Sequence, residues 1–292
     1  MRIHLVSADS NNIYGLEYFI KKTFISLGHE VVETNYRVMS KEEVSTRIRF
    51  ISDCDFLLMI KGEKVSPDDL FACRIPKVLW MQDSVEANKE ANFIIQTKSW
   101  VFDIVYSFSD YEIPFYKKFN KNVYWLPLAA DPDTHYMNPF DKEIPVSFIG
   151  SMNTNRINMI NYLLDYGIPV ELYYTKENYC DKVNNTMINL NIGITLQGIQ
   201  QRVFEILSMG GFLITNRLQG GTEIFKDKEH LVYFDNFKHL AELVNYYYFN
   251  PVEREKIAMA GRNEVLEGHI YEHRARQIID GILNLRRQYG IK

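Results

Sequence analysis

The sequence predicts an α/β protein built on parallel sheets. Three observations carry that expectation. Short apolar runs alternate with stretches of helical spacing from one end of the chain to the other. Some runs, such as DFLLMIKG at 55–62, are apolar almost throughout, as strands covered on both faces are. A stretch rich in Pro, Asp and Asn at 131–145 breaks the alternation once, and the alternation then restarts.

The elements follow in order. RIHLVSA (2–8) reads as a strand, and 14–27 as a helix that Gly28 is placed to end. Strand 29–35 and helix 41–52 lead to strands at 55–62, 76–83, 102–109 and 122–129, with a helix near 111–118. After the break come strands at 146–151, 169–175, 188–195, 211–216 and 230–235. Helices are expected at 154–166, 199–209, 236–249, 252–266 and 271–289. Strand–helix–strand order at this spacing predicts two Rossmann-like domains with parallel sheets, facing across a cleft. The expected division is a domain over 1–130, a linker over 131–145 and a second domain over 146–270. Ligands of such sheets bind at the carboxyl ends of the strands, so the chemistry is expected on the loops that follow them.

Composition excludes several classes. A net charge of −4 gives no basic surplus for nucleic acid. Three scattered cysteines form neither a disulfide framework nor a zinc pattern. The chain opens on a strand pattern, and no apolar run nears the ~18 residues of a membrane span, so a cytoplasmic protein is expected. Asp53-Cys54-Asp55 and Asp131-Pro132-Asp133 match D-x-D, but one starts a strand and the other lies in the linker. No H-E-x-x-H or G-x-S-x-G is present, and no metal is expected. The aromatic run Tyr246-Tyr247-Tyr248-Phe249 reads as core packing, with a partner surface as the alternative.

The first domain lacks G-x-G-x-x-G after its first strand, which argues for a substrate other than a dinucleotide. The second is richer. Gly150 and Ser151 end a strand, with Asn153 and Arg156 following, so backbone N–H groups and a guanidinium can meet an anion. An ordinary turn is the alternative. Arg202 and Glu205 stand three apart near a helix start, on one side of it. Such a carboxylate can accept ribose hydroxyls and such a guanidinium can bind a diphosphate. A structural ion pair is the alternative. Gly220, Gly221 and Thr222 follow the next strand and offer donors ahead of an expected helix.

The segments G-S-x-N (150–153), R-V-F-E-I-L-S-M-G-G-F-L-I-T (202–215), G-G-T-E-I-F (220–225) and E-G-H-I-Y-E-H-R-A (267–275) resemble the GT-B-fold glycosyltransferases. They are most similar to the spore-maturation CgeB-like, or glycosyltransferase family 1-like, branch. The resemblance covers about 145–280. It implies transfer of a sugar from a nucleotide-diphosphate sugar to an acceptor, without metal or cofactor. The acceptor is a glycan, protein or small molecule. It implies ribose contact for Glu205 and diphosphate contact for Arg156 and Arg202. Gly220, Gly221 and Thr222 match a loop near the donor phosphates, and His269 and Arg274 a domain-closing or structural element. The final helix, 271–292, is implied to cross back to the first domain. Gln197 stands where relatives have a first Glu touching the donor sugar, a departure that leaves the donor and the activity open. Asp83, at the end of VLWMQD, is the candidate base for the acceptor hydroxyl, with a turn Asp as the alternative. An epimerase or hydrolase on the same fold, or a silent nucleotide-sugar binding protein, remain as alternatives.

Overall fold

The computed structural model describes residues 1–138, 141–175, 177–193 and 197–290. The end of the expected strand 188–195 and the middle of the 131–145 stretch thus lie outside the described residues. The chain forms two compact units: Met1–Leu128 with Gly220–Thr222 and Tyr271–Lys292, and Ala129–Gln219 with Glu223–Ile270.

The first unit is a six-stranded parallel sheet. Its strands are β1 (Arg2–Ser7), β2 (Glu30–Asn35), β3 (Phe56–Ile60), β4 (Lys77–Met81), β5 (Ile104–Ser107) and β6 (Val123–Trp125), in the order β2-β1-β3-β4-β5-β6. All five side chains of β3 are fully buried, so its unbroken apolar run is what two covered faces require. Helices α1 (Leu16–Ser26), α2 (Lys41–Phe50), α3 (Pro67–Ala72), α4 (Lys89–Lys98) and α5 (Ile113–Tyr116) alternate with the strands. Residues of α2, α3 and α4 share one apolar core with alternate residues of β1, β3, β4 and β5. The pass for periodicity misses α3 and α4. Each is announced by its cap instead: Ser66 accepts from Asp68 N, and Asn88 from Glu90 N and Ala91 N.

The second unit has a five-stranded parallel sheet, β11-β10-β9-β7-β8, from β7 (Ile144–Ile149), β8 (Glu171–Tyr173), β9 (Thr186–Asn191), β10 (Leu213–Asn216) and β11 (Val232–Phe234). Its helices are α6 (Thr154–Asp165), α7 (Tyr179–Asn184), α8 (Gln201–Ser208), α9 (Phe237–Phe249) and α10 (Pro251–Gly268). Gly210, at φ +69°, ends α8 in the left-handed conformation that glycine adopts without strain. Of the aromatic run in α9 only Tyr247 is buried; Tyr246, Tyr248 and Phe249 are exposed, because four consecutive helical residues cannot share one face. The stretch expected as a linker is packed: His135 is 1% exposed, and β7 already begins at Ile144.

Helix α11 (Tyr271–Tyr289) completes the first unit. Tyr271 packs on Phe19 of α1 at 5.3 Å between ring centres. The buried Arg274 guanidinium donates to the carbonyls of Pro127 and Leu128, and Arg286 to Asp55. Among the described residues no helix is long and apolar enough to cross a membrane.

Candidate functional site

In the second unit the carboxyl end of β7 carries the polar loop the sequence singles out. Gly150 sits at φ +149°, and a Cβ there would meet the Arg202 guanidinium at 2.5 Å. Glycine is required because the guanidinium lies against its α-carbon. Asn153 caps α6, accepting from Arg156 N at 3.0 Å. The N–H groups of the first turn of α6 therefore start beside this loop.

Two guanidinium groups lie over one ring: Arg202 Cζ is 5.4 Å and Arg156 Cζ 5.2 Å from the centre of Phe148. Their roles differ. Arg156, 4% exposed, is a strut: Nε donates to Ile192 O at 2.8 Å and Nη1 to Ser151 O at 2.6 Å. It is no surface arginine: Nε and Nη1 tie the ends of β7 and β9 together. Its pKa is pushed down to about 10, by burial and then by Arg202. Arg202 makes no ion pair among the described residues, and its Nε is buried without a hydrogen-bond partner among them. A cation beside a second cation, with no carboxylate paired to it among the described residues, has the charge to take an anion.

Glu205 shares α8 with Arg202 but is fully buried. Its Oε1 lies 3.5 Å from Nε2 of the buried His135, and Tyr179 packs edge-on to His135 at 6.1 Å. The Tyr179 hydroxyl is held well above its usual pKa by burial and by this carboxylate. The expected open carboxylate at a helix start is instead enclosed, because residues 131–138 fold over it. Gln197 is half-buried in the short turn ahead of α8.

Gly220, Gly221 and Thr222 group with the first unit. Thr222 N donates to both carboxylate oxygens of Asp110, at 3.0 and 2.9 Å, so the donor expected for a phosphate holds an internal anion. No helix follows: Asp227 and Leu231 form a bridge there instead, and Arg217 binds Glu223, Asp227 and Asp235. His269 is set between Phe204 and Phe225, at 5.8 and 5.6 Å.

In the first unit Asp83 follows β4 and pairs with Lys61 Nζ at 3.2 Å. Lys61, at φ 63°, is a non-glycine in the left-handed region, followed by Gly62 at φ 97°. The turn is clamped: Gly62 N donates to the Tyr36 hydroxyl, and the buried Lys98 donates to the carbonyls of Gly62 and Glu63. Burial pushes the Lys98 ammonium down to about 8. On the other side of Asp83, the buried Glu112 accepts from Ser84 Oγ and Val85 N. Glu17, 8% exposed, has its pKa raised by burial, with Lys61 opposing and Asp83 adding to the rise. The amide of Gln82 is buried without a partner among the described residues. Asp83 thus stands beside Lys61 and near the buried Glu17. Sequence reading misses Glu17 and Lys61. The signal for Glu17 is its spacing from Ile20 and Phe24, which puts an acid on the apolar face of α1.

Asp53 binds Arg2, and Asp55 binds Arg2 N and Arg286. Among the described residues no three His, Cys, Asp or Glu side chains are grouped to hold a metal.

Residues 142–280 match the model of a family described as glycosyl transferase-like. No curated protein matches the chain by sequence. Solved structures match its fold over nearly their whole length. HepE of Anabaena in complex with UDP and glucose is 11% identical, covers 97% of this chain and 100% of its own, and superposes with a TM-score of 0.72. Sucrose-phosphate synthase of Thermosynechococcus elongatus is 10% identical, with 100% of each chain covered and a TM-score of 0.70. A glycosyltransferase from Rickettsia africae is 11% identical, with 96% and 97% covered and a TM-score of 0.70. The chain has the GT-B fold, and its residues 142–280 are similar to the glycosyl transferase-like family.

Proposed function

We propose that the protein transfers a glycosyl group from a nucleoside-diphosphate sugar to an acceptor hydroxyl. The observation that carries this is the Arg202 guanidinium, laid against Gly150 and Phe148 beside a second arginine and without a carboxylate of its own. The second unit holds the donor: Arg202 and the first N–H groups of α6 take the diphosphate. Arg156, Ser151 and Asn153 keep that loop in shape. In the transfer the bond from the sugar carbon to the diphosphate oxygen breaks, and the acceptor oxygen bonds to that carbon. The charge left on the diphosphate is carried by Arg202 and the helix start, without a metal. Asp83 of the first unit accepts the acceptor's proton, with Lys61 orienting it. Glu205 reaches the ribose once His135 turns aside, and Gln197 meets the donor sugar. The three free, buried cysteines fit a reducing, cytoplasmic setting.

UDP is the first donor nucleotide to try, since HepE is solved with UDP and glucose. The test is a thermal-shift series with UDP, GDP, ADP and dTDP, with and without EDTA, followed by turnover of the matching sugar conjugates. A ligand that binds only the folded protein raises its melting temperature. A shift with one diphosphate that EDTA leaves intact supports the donor site. Asp83→Asn should then keep that shift and lose transfer. Gln197 and the enclosure of Glu205 favour one second reading, a nucleotide-sugar binding protein without turnover. A shift with no turnover on any acceptor would establish it.

A further inference from the structure

The first unit carries a groove that the donor and acceptor chemistry above leaves unused. It runs between the edge strand β6, its neighbour β5 and helix α11, with a volume of about 370 Å³. That lies within the range of small-molecule pockets. Its two walls differ in chemistry. The strand wall is aromatic: Tyr106 and Tyr124 lie 6.2 Å apart, and Tyr124 is 53% exposed at the sheet edge. The helix wall is a row of Gln277, Asp280, Asn284 and Gln288, at steps of three and four residues and so on one face of α11. The row spans about 16 Å at the helical rise per residue.

Gly281 opens this wall in the middle. A glycine inside a helix costs about 1 kcal/mol, so it needs a reason. A Cβ there would meet the Tyr106 hydroxyl at 2.4 Å, and that hydroxyl donates to the Gln277 carbonyl. The glycine lets the aromatic wall close onto the helix at the floor of the groove.

An exposed aromatic face opposite planar amides and a carboxylate suits one ligand chemistry. A pyranose ring offers apolar C–H faces to an aromatic ring and pairs of hydroxyls, which both donate and accept, to amides and to a carboxylate that accepts. Among the described residues no Lys or Arg lines the groove, while Asp103 and Asp280 do. That disfavours phosphorylated or acidic ligands. A groove of this volume is too small for a helix, about 10 Å across, from a second copy of the chain. We propose that this groove binds a neutral oligosaccharide of two or three rings. The claim rests on the glycosyltransferase reading only for the supply of such a ligand, as acceptor or product.

The test is calorimetric titration of the full chain with maltotriose, cellotriose and chitotriose, each in the presence of saturating UDP, with glucose 6-phosphate as an acidic control. At least one neutral trisaccharide should bind and the control should not. Tyr124→Ala and Asn284→Leu, both at exposed positions, should each weaken that binding about tenfold, and Tyr124→Trp should restore it. Melting curves confirm that the variants fold. No binding by any of the three, unchanged affinity in both variants, or preference for the acidic control each overturns the proposal. UDP affinity, measured alongside, separates the two claims. Its absence with trisaccharide binding intact removes the donor reading and leaves the groove. UDP binding with no trisaccharide binding does the reverse.

Discussion

Replacing Arg202 by Met tests the donor site at its most specific point. Arg202 makes no ion pair among the described residues, so its loss breaks no buried salt bridge. Met keeps most of the stem that packs by Phe148 and Gly150. What disappears from the fold is a cation–ring contact, about 0.5–1 kcal/mol. Against this stands the relief of repulsion on Arg156, whose pKa Arg202 lowers. The melting temperature should therefore move by no more than about 3 °C. Binding is another matter. A hydrogen bond to a charged group contributes about 1.5–3 kcal/mol, which is about 10- to 150-fold in affinity. Calorimetry with UDP, UMP and uridine reads this directly. UDP should weaken by that factor, while uridine, which lacks the phosphates, keeps its affinity. Equal losses for UDP and uridine would refute the phosphate role, and unchanged UDP affinity would remove Arg202 from the site.

The remaining predictions concern stability. Glu205→Ala should cost about 3 kcal/mol, because it takes the carboxylate away from the buried His135. A melting temperature about 10 °C lower is expected, and an unchanged one would mean that the enclosed carboxylate holds nothing. Gly261→Ala should destabilise the second unit by about 1–3 kcal/mol, since its Cβ would meet the His230 carbonyl at 2.2 Å; urea unfolding measures this. His4 is fully buried, its Nε2 is 2.8 Å from Thr34 Oγ1, and its pKa is pushed down to about 4 by burial. The unfolded chain then binds the extra proton below about pH 6.5. Stability from this residue is full above that pH and falls as pH drops toward 4, by about 3 kcal/mol in total. Urea midpoints at pH 7.5 and 4.5 should lie closer together in His4→Leu than in the parent, and an equal separation in both would rule the histidine out.

The strands of both sheets were legible because apolar runs such as FLLMI leave no other way to bury both faces. Helices α3, α4 and α7 were not: α3 and α7 are six residues long, and α4 starts on a single cap, Asn88. The places of Gly150 at a strand end and Arg202 at a helix start could be read, since both are local features. The enclosure of Glu205 could not, because it depends on His135, seventy positions away in the chain and folded onto α8 through Ser208 Oγ, which donates to its carbonyl. The occupation of Thr222 by Asp110 is equally non-local. Arg156 shows the same limit: its residue type announces a charge, but only the fold shows that two carbonyls already hold it.

The return of the chain to the first unit sets an order of assembly. The ribosome releases β1 to β6 early, yet the helix that covers α1 emerges only after the whole of the second unit. The second unit is continuous apart from a three-residue excursion, and it can collapse while the first is still open on one side. A premature stop within α11 would therefore damage the half of the protein made first and spare the half made second. Limited proteolysis of a chain ending at residue 270 should show a resistant fragment from the second unit and rapid loss of the first.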